Sequence, residues 1–310
     1  MDYYIHLLIL ICIYLILAQS FNLTFGMGRL FNLAHVAVYA IGAYATALLS
    51  TDMGAGFFQC LAVSMLLSGL FALLIGAISL RLEAEYFAIG TLAFSSVIAA
   101  LLVNWKSLTR GVLGIPGIPR PELFGVDFSV NLHFLYLIFV FVVISQFVLY
   151  IFFRNSFSRS LRGQAEADHA CMALGKDTRQ IRNFSFFISS AFAGMAGSFF
   201  AYYINYIDPS SFSLVEMVFV LTIVVVGKPG SFWGVIAGTV FLVLLPEPLR
   251  FLKVPYVTFA ANAPWFVQSI YFDYIPPSIL GPMRQLLYAS IQFGVVYWKR
   301  ESLFPVERSI

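Results

Sequence analysis

Charge is what this chain has least of. Only 11% of its 310 residues are Asp, Glu, Lys or Arg, against about 25% in a soluble globular protein. Cysteine is also scarce. Cys12, Cys60 and Cys171 stand far apart without C-x-x-C spacing, which excludes a disulfide framework and a thiolate metal site. No group of His, Cys, Asp and Glu has metal-ligand spacing, and no nucleophile and base are paired, so neither a metal nor a catalytic residue is expected. A P-loop, G-x-x-x-x-G-K-[ST], is missing. Of the Gly-Lys pairs, Gly175-Lys176 has Ala170 and Gly227-Lys228 has Thr222 where the first glycine belongs, and Asp177 and Pro229 follow the lysines. A net charge of +3 is too small to mark a nucleic-acid surface. The first six residues, with Asp2 and no Lys or Arg, lack the basic start of a cleavable signal peptide, so the first apolar stretch is expected to remain as a span.

What fills the chain instead is apolar. Hydrophobic residues make up 60%, with 33 Phe, 16 Tyr and 4 Trp, and mean hydropathy is +0.88. Lipid is therefore the expected solvent. A transmembrane helix needs about 20 mostly apolar residues, so the gaps between charges serve as a ruler. Windows 7–28, 30–51, 53–80, 86–105, 128–153 and 183–207 are free of Asp, Glu, Lys and Arg. Windows 213–227, which contains Glu216, and 231–246 are shorter, and 285–298 closes the chain. The expectation is an all-α polytopic bundle of about nine spans (eight to ten), a single transmembrane domain over 1–310. Region 255–282 mixes apolar residues with Asn262, Pro264, Gln268, Asp273, Pro276 and Pro277. It reads as an external insertion with interfacial or re-entrant pieces, since Trp265 and its tyrosines suit the headgroup belt.

Lys and Arg set the orientation. Segment 154–182 holds Arg154, Arg159, Arg162, Lys176, Arg179 and Arg182. Placing it in the cytoplasm also puts Arg29, Arg81, Lys228, Lys299, Arg300 and Arg308 inside. Lys106, Arg110, Arg120, Arg250, Lys253 and Arg284 are left outside. The N-terminus then lies outside and the C-terminus inside, in agreement with an odd number of spans.

Within that cytoplasmic segment, residues 164–174 are rich in helix formers and stop at Gly175. Asp177-Thr178 offers an N-cap for the helix that follows. A short helix bracketed by turns at the membrane face fits a docking element, and equally a surface helix that keeps the loop folded. Gly230, Gly234 and Gly238 recur every fourth residue, a flat face for close helix contact in lipid. Gly194 and Gly197, among Ser189, Ser190, Ala191, Ala193, Ala196 and Ser198, give the sixth span a slim waist. These glycines serve packing, either within the chain or between subunits. Polar groups inside a membrane usually face a bundle interior or a cavity, and here they are Gln19, Asn22, Asn32, His35 and Glu216. Glu216 interrupts an apolar run and would attract a cationic amino group, relay protons or pair with a neighbouring donor. The glycine- and proline-rich 104–130 loop sets turns rather than a helix.

Several segments together carry a resemblance. Phe31-Asn32-Leu33-Ala34-His35 with Gly42-Ala43-Tyr44 comes first. Arg81-Leu82-Glu83-Ala84-Glu85-Tyr86-Phe87-Ala88-Ile89-Gly90-Thr91-Leu92 follows, then Gly114-Ile115-Pro116-Gly117-Ile118-Pro119-Arg120-Pro121. Ala173-Leu174-Gly175, Ala191-Phe192-Ala193-Gly194-Met195-Ala196-Gly197, Glu216 and Gly230-Ser231-Phe232-Trp233-Gly234 complete the series in order. Over roughly 15–300 the chain resembles the permease subunits of branched-chain amino-acid ABC importers, of LivM type and related to LivH type. Asn32-Leu33-Ala34-His35 is closer to the LivH type. Gly227-Lys228-Pro229-Gly230 replaces a more glycine-rich turn, and 255–282 reads as an addition.

The resemblance implies a bacterial-type inner-membrane permease that moves branched-chain or other amino acids inward. Urea or a short-chain amide is the alternative substrate. It also implies a second homologous permease, two ATP-binding cassette subunits and an external (periplasmic) substrate-binding protein. ATP and Mg would sit on those ATPases, with no cofactor in this chain. Loop 154–182 becomes the coupling loop, with Arg162, Gly163, Glu166, Ala173, Leu174, Gly175 and Lys176 as the contact. Asn22, Asn32, His35 and Glu216 become residues of the translocation path. The rival from another class is a self-sufficient secondary transporter, with Glu216 or His35 as an ion relay.

Overall fold

The computed structural model describes residues 2–79, 84–123, 126–245, 255–259 and 270–274, with isolated helical positions between 282 and 297. They fall into two compact units, 1–239 and 240–310. The first is helical. In chain order its helices are α1 (Asp2–Asn22), α2 (His35–Asp52), α3 (Phe57–Ser79), α4 (Ala84–Asn104), the one-turn α5 (Lys106–Thr109) and α6 (Asn131–Arg154). Then come α7 (Ser156–Glu166), α8 (Asp168–Ala173), α9 (Thr178–Ile204), α10 (Leu214–Val226) and α11 (Phe232–Leu244), whose last residues belong to the second unit.

Eight of the nine apolar windows carry helices; the ninth, 285–298, lies largely outside the described residues. Five helical stretches are long and apolar enough to cross a membrane: Asp2–Met27, Phe57–Ser79, Tyr86–Asn104, Asn131–Arg154 and Thr178–Ile204. Helix α2 has 18 residues but mixes alanines with His35, Thr46, Thr51 and Asp52, and is not among the five. Helices α10 and α11 are apolar but have 13 residues each. At 1.5 Å per residue that is about 20 Å, short of a hydrocarbon core of about 30 Å. Among the described residues five of the expected spans, about nine in all, thus have the length and composition of a crossing on their own.

Burial sorts these helices. The most apolar stretch of α9 is 72% buried and that of α1 56%, whereas α4 is 22% and α6 28% buried. The periphery shows why. Leu66, Leu70, Leu74 and Ile78 recur at every fourth residue of α3, all exposed, and Tyr136, Val140, Ile144, Phe147 and Ile151 form a like stripe on α6 at steps of three or four. Those stripes are the faces a bundle turns to lipid. On the inside, small residues let α9 lie against α2 and α3. A Cβ on Gly194 would fall 2.6 Å from the Ser64 carbonyl oxygen, and one on Gly42 would overlap the Gly194 backbone. One on Gly197 would come within 2.7 Å of the Ala43 nitrogen. Hydroxyls close the remaining gaps: Thr46 and Ser64 share a hydrogen bond of 2.6 Å, and Ser68 donates to the Val38 carbonyl. The waist read from sequence is an intrachain contact.

The opposite end of the bundle is tied by one guanidinium. Loop 110–130 folds back on the C-terminus of α9, where β1 (Ile115–Pro116) pairs antiparallel with β4 (Tyr206–Ile207). Arg120 donates from Nε to Asn205 Oδ1, from one terminal nitrogen to Ser129 O and Asn131 Oδ1, and from the other to Tyr203 O. It also stands 5.6 Å from the ring centres of Phe134 and Tyr203, a cation–π arrangement. Asn205, left-handed at φ 59°, caps α9 and returns Nδ2 to the Ile118 carbonyl. A second short pair, β2 (Glu122–Leu123) with β3 (Val126–Asp127), lies farther along the loop.

In the second unit β5 (Pro255–Phe259) pairs antiparallel with β6 (Ile270–Tyr274), with Val257 opposite Phe272. Part of the expected insertion 255–282 is therefore a strand ladder. Residues 260–269 and 275–281 lie outside the described residues.

Candidate functional site

Two breaks in the helical backbone meet in the first unit, and the polar residues picked from sequence gather around them. Helix α1 does not end cleanly: Leu23–Met27 form a π-helical turn, and the chain then runs without helix over 29–34 before α2 begins at His35. The second break, 227–231, separates α10 from α11. Non-helical backbone among apolar helices must find partners inside the protein. At the first break, Asn32 Oδ1 accepts from the Ala34 N–H and Thr91 Oγ1 from the Leu33 N–H. At the second, Gln19 Nε2 donates to the Phe232 carbonyl at 2.7 Å, and Asn22 Nδ2 donates to Gln19 Oε1 and the Ser231 carbonyl. Asn22 Oδ1 in turn accepts from the Gly230 N–H at 2.8 Å.

The glycines complete this contact. A Cβ on Gly26 would come within 3.0 Å of Gly230 Cα. Gly230 is not on the α11 face that its spacing suggests; it is a turn residue at φ 77°, a conformation that favours glycine. Gly234 and Gly238 do lie on α11, and they press on Gly227 at the end of α10. A Cβ on Gly238 would be 3.0 Å from Gly227 Cα.

The four residues expected on the path do not converge. Asn22 and Asn32 are engaged with backbone as described. His35 is fully buried, with Nε2 3.1 Å from Ser20 Oγ and 3.3 Å from Leu17 O and its ring against Phe21. Its Nδ1 has no partner among the described residues. Glu216 lies about two turns away along α1, where Tyr14 donates to Oε1 at 2.6 Å. Its place in the first turn of α10 lets the helix dipole favour a carboxylate.

The coupling segment differs in one respect from its sequence reading. Residues 164–174 are not one helix but the end of α7 and the whole of α8, with a break at Ala167 (φ −151°). Asp168, which opens α8, is held at 2.7 Å by Arg182 of α9. Gln164 in its better amide orientation also accepts from Arg182. Gly175 follows at φ 76°, and Asp177 caps α9 by accepting from the Gln180 N–H, as the spacing predicts.

The named contact residues divide into two sets. Arg162, Gly163, Glu166 and Lys176 brace the hairpin. Arg162 reaches both breaks at once, with Nε 2.7 Å from Met27 Sδ and a terminal nitrogen 3.1 Å from Gly230 O. Glu166 lies 3.8 Å from Arg29, Lys176 donates to Ser160 Oγ, and Gly163 leaves room for Cys171 Sγ. Leu161, buried beside them, fills the space over Gly28. Ala173, Leu174 and Gly175 form an exposed tip, with Leu174 77% exposed beside Met172. Among the described residues no group of His, Cys, Asp and Glu is placed to hold a metal.

Four residues carry this arrangement without having been given a part in it from the sequence: Arg120 and Thr91, which stand in segments that resemble the family, and Asn205 and Tyr14, of which Asn205 has a signal of its own, an Asn directly after an apolar helix.

Residues 3–270 match the family described as the permease component of the branched-chain amino acid transport system. The chain belongs to that family. It is 37% identical over 261 residues to the high-affinity branched-chain amino acid transport system permease protein LivM of Escherichia coli strain K12, and 38% identical to that of Salmonella typhimurium. Each alignment covers 77% of this chain and 61% of the relative, so the chain spans about three-fifths of the curated relatives it matches. No solved structure matches it. A permease family and five long apolar helices together make this a multi-pass membrane protein, from a transport rather than a catalytic family. Some of the segments that resemble the family are packing partners of one another: Gly42 meets Gly194, and Leu33 meets Thr91.

Proposed function

We propose that this chain is the membrane-spanning subunit of an ATP-driven importer that moves branched-chain or other amino acids inward. The observation that carries the reading is the α7–α8 hairpin. Its apolar tip, Met172 and Leu174, is exposed to whatever lies beyond the bundle, while Arg162 at its base is bonded to both helix breaks. A hairpin built this way transmits a push on its tip to the two places where backbone bonds depend on side chains. Since the chain has no P-loop, the push comes from a separate ATPase subunit seated on that tip. Partner ATPases, a second permease and an external binding protein complete the importer. The hairpin then lies in the cytoplasm, the N-terminus outside and the C-terminus inside, and α2, α10, α11 and 285–298 make up about nine crossings with the five long helices. Glu216, beside Tyr14, is the carboxylate for the substrate's ammonium group.

Affinity purification in mild detergent tests this. The expected result is co-purification of a second permease and P-loop subunits, lost on Leu174→Asp with the chain still inserted. Uptake into liposomes by the lone chain, without ATP, would sink the reading in favour of a secondary transporter.

A further inference from the structure

A cleft of about 450 Å³ opens between the end of α1, the face of α7 and the 228–231 turn. Its walls carry three cations, Arg29, Arg162 and Lys228, against one carboxylate, Glu166. The Arg29–Glu166 pair is loose, 3.8 Å apart with side chains 54% and 68% exposed. Lys228 is exposed and makes no ion pair among the described residues.

The backbone adds an independent observation. Arg29 and Lys228 are both left-handed, at φ 52° and φ 70°, a conformation unfavourable for an ordinary L-residue. A turn with no other task would carry glycine or asparagine there. Both positions are cations instead, and both border the same cleft.

The rim gives the depth. Trp233, two residues beyond the cleft-lining Ser231, is 70% exposed. Nearby, Tyr150 and Phe153 pack on Phe232, and Arg154 donates to the Tyr150 hydroxyl. An exposed Trp beside a half-buried Tyr and an adjacent Arg marks the level of the headgroups, and basic pockets between helices on the cytoplasmic side suit anionic lipid.

We propose that this cleft binds the phosphate of an anionic phospholipid of the cytoplasmic leaflet, through Arg29 and Lys228 with Arg162 at its base. The lipid thereby fastens α7 to the turn on which Arg162 acts. The site rests on the orientation proposed above but on neither the substrate nor the ATPase. It is read by lipid binding alone, so its failure and that of the transport reading are separate results.

The test is native mass spectrometry of the full chain, purified in mild detergent and equilibrated with equal amounts of phosphatidylglycerol and phosphatidylcholine. Phosphatidylglycerol should be retained in preference. Arg29→Asn and Lys228→Asn, which keep the left-handed backbone accessible, should each weaken retention about 5-fold with an unchanged melting temperature. Glu166→Gln should strengthen it. Equal retention of the two lipids, or no loss in either variant, would overturn the proposal. So would full displacement by millimolar inorganic phosphate, which makes the cleft a free-phosphate site. The lipid source is equally overturned if an ATPase subunit displaces the lipid and the same two variants lose that subunit, because the cleft would then hold an acidic protein segment.

Discussion

Between α2 and α9, Gly42 and Gly194 let two backbones touch; between α1 and the 227–231 turn, Gly26 and Gly230 do the same. The first contact joins two intact helices. Their backbone groups are already bonded within each helix, and the hydroxyls of Ser64, Ser68 and Thr46 only fill the gaps. The second joins two interruptions, and there backbone groups of Gly230, Ser231 and Phe232 are answered by the amides of Gln19 and Asn22. A seam of the first kind has one good arrangement, because interiors this close do not deform gradually. A joint of the second kind is held by bonds whose net worth is about 0.5–1.5 kcal/mol each. It can exchange one set of partners for another at modest cost. Small residues alone do not distinguish a rigid contact from a movable one; what matters is whether the backbone beside them is self-sufficient.

That contrast is open to attack from both sides. The largest effect is expected at the seam: Gly194→Leu should prevent stable insertion, seen as loss of a monodisperse peak in detergent. If the variant is as stable as wild type, the seam is not the fixed element. At the joint, Asn22→Ala leaves the Gly230 N–H, the Ser231 carbonyl and Gln19 Oε1 without the Asn22 amide and should cost about 1–3 kcal/mol, measured as a lower melting temperature in a protein that still folds. Arg162→Ala should cost less stability but abolish the response of partner ATPase activity to substrate. A variant with normal stimulation would show that α7 does not act through the breaks. Gly175→Leu should leave stability lowered only by the strain of a left-handed backbone, since nothing lies within 4 Å of its Cβ position, yet it should impair ATPase capture.

The smallest effect is one of pH. Burial alone would raise the Asp208 carboxyl, but hydrogen bonds from the Ser210 and Ser211 hydroxyls and the Ser211 N–H outweigh it and hold it below the ordinary 3.8. A depressed carboxylate stabilises the fold above its unfolded value. That contribution is lost as pH falls from 3.8 toward the lower folded value, and Asp208→Asn should remove this part of the acid sensitivity. An unchanged acid midpoint would show that the turn after α9 contributes nothing there.

Much of this was legible without coordinates. Charge gaps locate eight helices because a charge is costly in lipid wherever it stands. The Gly175 stop and the Asp177 cap are local chemistry, and both are read correctly. The glycine spacing is legible as close approach, but not as to which glycine lies on a helix; Gly230 leaves the α11 face because Lys228 and Pro229 have already ended the helical run. Asn22, Asn32 and Glu216 look alike in an apolar sequence. Only three-dimensional pairing separates two amides bonded to broken backbone from a carboxylate beside a tyrosine. The break at Ala167 is hidden for the same reason, since it answers to Arg182 fifteen residues on. Arg120 is the plainest case: five residues converge on a side chain that the sequence shows as a charge in a proline-rich, family-like loop, with nothing to say what it holds.

Those contacts also impose an order in time. Ser129 and Asn131 leave the ribosome soon after Arg120, but Asn205 follows it by 85 residues. At about 5–20 residues per second this is a delay of roughly 4–17 s. Until α9 has been made and inserted, the loop has only half of its anchor. Its closure therefore reports that the central helix has arrived, and a chain stalled before that point would present an unfastened loop to any quality-control protease.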